Sequence, residues 1–67
     1  MIRILVNGSS RDVEDGIDLS GLIDSLGIVT RGLAASVDSE VIPRGQWASV
    51  LLKPGNHVEL ITATPGG

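Results

Sequence analysis

The residues best placed to do chemistry are the last four, Thr64-Pro65-Gly66-Gly67, and not any cluster of side chains. A terminal carboxyl has a pKa near ~3.5, so at neutral pH Gly67 presents an anion whose acyl carbon another enzyme can activate. With no side chain on Gly66 or Gly67, this segment can thread a channel too narrow for any other residue type. Pro65 cannot donate to a strand ladder and pushes Thr64 towards extended geometry, which predicts a flexible tail over 64–67 directed away from the body. The four residues beyond Ala63 reach at most roughly 13 Å. At an average glycine usage of about 7%, a terminal Gly-Gly pair arises by chance in roughly one sequence in 200.

Little else in the composition can react. The chain has 67 residues, no cysteine, one histidine (His57) and one aromatic residue (Trp47). That length is one small domain spanning 1–67, and its 42% of apolar residues suffice for a core without a walled substrate cavity. Without cysteine there is no thiolate nucleophile, no disulfide and no zinc-finger ligand set. A lone His57 supplies neither a metal site nor a Ser-His-Asp group, so the chain reads as a non-enzyme with no metal and no bound cofactor. Eight acids against five scattered bases give a net charge of −3, and with one aromatic residue there is neither a basic stripe nor a stacking platform for nucleic acid. No apolar run approaches the ~18 residues of a membrane span, and no basic segment precedes an apolar one. The expected location is the cytoplasm. No exposed apolar stripe is evident in the sequence, which reads as a free monomer.

The elements that must position the tail follow from apolar spacing. Ile2, Ile4 and Val6 alternate on one face of a first strand, and Asn7-Gly8 is a strong hairpin signal that returns a second strand over roughly Ser10 to Glu14. Asp12, Glu14, Asp15 and Asp18 then form an acidic approach to a helix N-terminus, or a patch for a basic partner. Asp18 reads as the N-cap; Leu19, Leu22, Ile23 and Leu26 mark one helical face, and Gly27 supplies the stop. Leu33 to Asp38 and Glu40 to Ile42 read as short strands around a turn near Ser39, followed by a tight helical turn over Pro43–Trp47. Val50–Leu52 is a short apolar piece, Pro54-Gly55-Asn56 a turn, and His57 to Ala63 the last strand, with Val58 and Leu60 on one face. A hairpin, one crossing helix and returning strands predict an α+β domain of the β-grasp, or ubiquitin-like, arrangement. It has a mixed sheet of about five short strands, with the first and last parallel at its centre.

Asp38-Ser39-Glu40-Val41-Ile42-Pro43-Arg44-Gly45-Gln46-Trp47-Ala48, the Pro54-Gly55-Asn56 turn and the terminal Gly66-Gly67 resemble the ThiS family, the sulfur carriers of thiamine biosynthesis. The resemblance covers the whole chain in length and element order. Two positions depart from the family pattern: Asn56 stands where an aspartate is common, and Pro65 precedes the glycine pair in place of a small or aliphatic residue. The resemblance implies that a ubiquitin-activating-like adenylyltransferase, using ATP, adenylates the Gly67 carboxylate. Sulfur from a persulfide, usually traced to a cysteine desulfurase, then makes a thiocarboxylate on Gly67, and thiazole synthase accepts that sulfur. Gly66, Pro65 and Thr64 would thread partner active sites. Trp47 reads as a lid over one end of the core or as a partner anchor, and Arg44 as a locally paired charge or a partner contact. The competing readings are a carrier subunit of the molybdopterin-synthase type and a ubiquitin-like modifier or interaction module.

Overall fold

The computed structural model describes residues 1–62; the tail over 64–67, and Ala63 before it, lie outside the described residues. Strand β1 (Ile2–Val6) pairs antiparallel with β2 (Ser9–Val13); helix α1 (Leu19–Leu26) follows, then β3 (Leu33–Val37) and β4 (Glu40–Ile42). A 3₁₀ helix over Arg44–Ser49 leads to β5 (His57–Thr62). The sheet order β2-β1-β5-β3-β4 puts β5 at the centre, parallel to β1 and antiparallel to β3. This is the β-grasp arrangement the element order predicts.

Local chemistry explains each boundary. Asn7 and Gly8 take φ values of 51° and 83°, the positive pair that a two-residue hairpin turn requires. Because only two residues form the loop, pairing resumes at Val6 with Ser9, and β2 runs Ser9–Val13, one residue earlier at each end than the apolar pattern suggests. Asp38 (φ 50°) and Ser39 (φ 73°) make a second turn of this kind, so β3 stops at Val37 and not Asp38. The 3₁₀ helix runs on to Ser49, past the expected Pro43–Trp47 turn.

Helix α1 is only eight residues long, and its ends are both secured. The Asp18 carboxylate accepts from the Gly21 N–H at 2.6 Å, and Gly27, at φ 65°, donates back to the Asp24 carbonyl. The start of the helix is also stitched to the Val50–Leu52 segment: Leu19 N–H donates to Val50 O, and Leu52 N–H to Ile17 O. One face of the sheet lies against the helix. Ile4, Leu19, Leu22, Ile23 and Val58 are almost fully buried, with Val13, Ala35, Ile42, Trp47, Leu52 and Leu60 completing the core. At such lengths neither helix nor strand is stable alone, so burial of this shared face holds them.

The other face of the sheet is open. Arg3 on β1 pairs across to Asp12 on β2 at 3.0 Å, and the guanidinium holds that carboxyl below its ordinary range. Ala34 sits opposite Ile61, and Ser36 opposite Val41, with Val41 72% and Ile61 60% exposed. The sequence shows no such apolar patch because its members come from three different strands.

Replacing Asp18 by Ala removes the N-cap and is expected to lower stability by about 1 kcal/mol. For a domain of this size that shifts Tm by roughly 4–8 °C. Thermal unfolding followed through Trp47 fluorescence measures it.

Candidate functional site

What the described structure contributes to the tail is the strand that leads into it, so the site is built from the contacts of β5. Its start is fixed by a polar clip. The Asp38 carboxylate accepts from the Asn56 side-chain amide at 2.7 Å and from the His57 backbone N–H at 2.8 Å, while Asp38 N–H donates to His57 O. The Asn56 side-chain oxygen accepts from Lys53 N–H at 2.6 Å, closing the Lys53–Asn56 turn, in which Gly55 takes φ 84°. These bonds account for Asn56: an aspartate there would set a second carboxylate against Asp38 where Asn56 now donates.

Along its length β5 is held on both edges. Pairing with β3 runs from Val37↔Val58 to Leu33↔Thr62. Pairing with β1 is shorter, Leu5↔His57 and Val6↔Val58, with Leu5 N–H donating to Asn56 O and Asn7 N–H to Val58 O. Beyond that point the Asn7 side chain takes over: its oxygen accepts from Leu60 N–H at 2.8 Å and its amide donates to Leu60 O at 3.2 Å. Val58 and Leu60 face the core, as their spacing predicts, and His57 is exposed.

Trp47 is 6% exposed and its ring N–H donates to Ile42 O at 3.0 Å. It closes one end of the core, which leaves little of the ring for a partner to contact. Arg44 lies over the Trp47 ring, 5.3 Å from its centroid, and its guanidinium donates to Thr30 O. The Pro43-Arg44…Trp47 segment therefore ties the 3₁₀ helix to the α1–β3 loop, and Arg44 is locally engaged. Gly67, Gly66, Pro65 and Thr64 lie outside the described residues. Among the described residues no polar or charged side chain is buried, and no three His, Cys, Asp or Glu side chains gather as metal ligands. No helix among them is long and apolar enough to cross a membrane.

The ThiS family model matches residues 4–67. The chain belongs to the ThiS family. It is 26% identical over 66 residues to the sulfur carrier protein ThiS of Escherichia coli K12, covering 98% of this chain and all of that one. Two thiazole synthases, from Paramagnetospirillum magneticum and Magnetococcus marinus, are 24% and 29% identical over 66 residues. This chain spans 20% of the length of each. The crystal structure of the thiamine biosynthesis protein ThiS from Geobacter metallireducens superposes with a TM-score of 0.87 at 22% identity, covering 98% of this chain and all of that one, so it shares the fold. The Escherichia coli relative, which this chain matches over its whole length, is a sulfur carrier.

The contacts of Asn7, Asp38 and Asn56 escape sequence reading. Asn7-Gly8 is legible as a turn, but the bonds from Asn7 to Leu60 cross 53 positions, and Asp38 meets Asn56 across 18.

Replacing Asn56 by Asp is expected to lower stability at neutral pH by about 1 kcal/mol, through a lost donor and facing carboxylates. Like charge raises the carboxyl pKa in the fold, so the loss is full above that pKa and disappears as acid protonates one partner. Denaturant midpoints at pH 7 and pH 4 compare the two states. Replacing Arg44 by Met removes the stacked cation and the donor to Thr30. Expected are a shift in the emission of the single Trp47 and a stability loss of about 0.5–1 kcal/mol.

Proposed function

We propose that this chain carries sulfur as a thiocarboxylate on Gly67 and gives it up during thiazole formation for thiamine. A carboxylate is a poor electrophile, and an adenylyltransferase of the ubiquitin-activating type overcomes this by joining the Gly67 carboxylate to AMP from ATP, releasing pyrophosphate. The acyl phosphate mixed anhydride has a good leaving group. The terminal sulfur of a persulfide, such as that of a cysteine desulfurase, attacks the carbonyl and AMP departs. Cleavage of the resulting sulfur–sulfur bond by a thiol leaves the thiocarboxylate, whose sulfur is a soft nucleophile for thiazole synthase to accept. With no cysteine, the chain has no persulfide of its own to form, and its C-terminal carbonyl is the seat for the sulfur.

The observation that carries this reading is the family match, which extends through Gly67, on a fold whose central strand leads into the tail. Two further findings agree. The Escherichia coli relative of full length is a sulfur carrier, and the two thiazole synthases contain a segment similar to nearly all of this chain. Gly66, Pro65 and Thr64 would occupy the partner's channel, and ATP belongs to the activating partner.

Intact-mass measurement after incubation with ATP, the activating enzyme and a sulfur source tests the proposal. The expected change is one oxygen exchanged for one sulfur. A permanent isopeptide adduct on a target lysine would instead indicate a modifier. Deleting Gly67 is expected to abolish activation and leave the melting temperature unchanged, because chain-terminal residues generally contribute little to stability.

A further inference from the structure

We infer that Asn7 is a positioning residue for the C-terminal tail, acting through a side-chain continuation of the β1–β5 ladder. In a parallel ladder one residue donates its N–H to the neighbouring strand, accepts from the residue two further along, and its own second neighbour donates next. Asn7 begins that pattern with its backbone, donating N–H to Val58 O at 2.9 Å. There the chain must leave the sheet, because Asn7 and Gly8 turn the hairpin with positive φ. The Asn7 backbone carbonyl is thereby carried out of line, and its side chain substitutes. Oδ1 accepts from Leu60 N–H at 2.8 Å, in place of that carbonyl. Nδ2 donates to Leu60 O at 3.2 Å, in place of the N–H that a continuing strand would offer two residues later. A primary amide is the side chain that does both, since it carries a donor and an acceptor side by side. Gly or Asp would also tolerate the turn, yet Gly has neither group and ionised Asp has no donor.

Without Asn7, the edge of β5 that faces β1 would be bare from Leu60 onward, and only β3 would direct Ile61 and Thr62. Leu60 is 9% exposed and faces the core, so tethering both its polar groups fixes the course of the strand up to Thr62. The inference rests on the proposed function, in which a partner's channel must receive that tail in register.

The experiment uses the full chain with its activating enzyme, following pyrophosphate release, and compares Asn7→Gly with Asp18→Ala, which weakens the fold away from β5. Expected for Asn7→Gly is a fall in kcat of at least about tenfold with KM little changed, since misplacement by an ångström is costly at a reacting centre. Asp18→Ala should show neither change below its melting temperature. Asn7→Asp supplies the rescue. Protonated, its carboxyl accepts from Leu60 N–H and donates to Leu60 O; ionised, it faces that carbonyl with like charge. The amide resonances of Leu60, Ile61 and Thr62 in Asn7→Asp should return to wild-type positions as pH falls through the carboxyl pKa, a step absent from Asn7→Gly. His57 and Glu59 border the same site, and the wild-type titration subtracts their contribution. Unchanged kcat in Asn7→Gly, or an equal fall in Asp18→Ala, overturns the positioning role while leaving the proposed function standing. A wild-type chain that is not adenylated overturns both.

Discussion

The structure depends on one strand being held from both sides. β5 pairs with β3 over five residues and with β1 over two, and these pairings join the hairpin at the start of the chain to the second antiparallel pair. The β1–β2 and β3–β4 pairings are local, each closed by a two-residue turn. The parallel contact is not local: bringing Leu5 to His57 closes a long loop, an entropy cost that grows slowly with length yet needs compensation from contacts made only at the end. That compensation is spread over the Leu5 and Asn7 backbone bonds, the Asn7 side chain, the Asp38–Asn56 clip and the burial of Val58 and Leu60.

The core that accompanies this pairing is one-sided. A single short helix covers one face of the sheet, so its ends matter more than its propensity, and Asp18 and Gly27 close them. The 3₁₀ helix adds Trp47 at the β4 end, where Ile42 lies. Trp47 is the only aromatic side chain available, and its ring is flanked by the Arg44 guanidinium and bonded to Ile42 O, so one large residue both fills and latches the corner. Arg44 and Trp47, which could have met a partner, are thus engaged chiefly within the chain.

Much of this was legible in the sequence because it rests on short-range rules. The helix bounds follow from an N-cap, an apolar stripe and a glycine stop, and the hairpin follows from Asn7-Gly8. The central place of β5 follows from the mixed order of elements. What escaped depends on register and on polar groups that meet across the sheet. No local signal says that β3 ends at Val37, because Asp38 and Ser39 adopt positive φ without being glycine. Nor does one say that Asp38 will reach Asn56, or that Val41 and Ile61 will share a face with Ala34. The candidate site was legible as a motif, since Gly66-Gly67 stands out by composition; the side-chain contacts of Asn7 and Asn56 along β5 were not.

In the proposed function the reactive atom sits at the end of the chain, which separates two demands that an enzyme must reconcile. The body can be fully satisfied, with no polar or charged side chain buried among the described residues, because in the proposed function the partner supplies the chemistry. What remains for the body is aim. Five residues beyond Thr62 span at most roughly 17 Å, so the place where the described strand ends bounds the volume the acyl carbon can reach. In the proposed function, then, the hydrogen bonds around Leu60 bear on where the tail begins as well as on the stability of the sheet. This gives a physical reason for spending a side chain on the ladder at the very residue where the backbone must turn away.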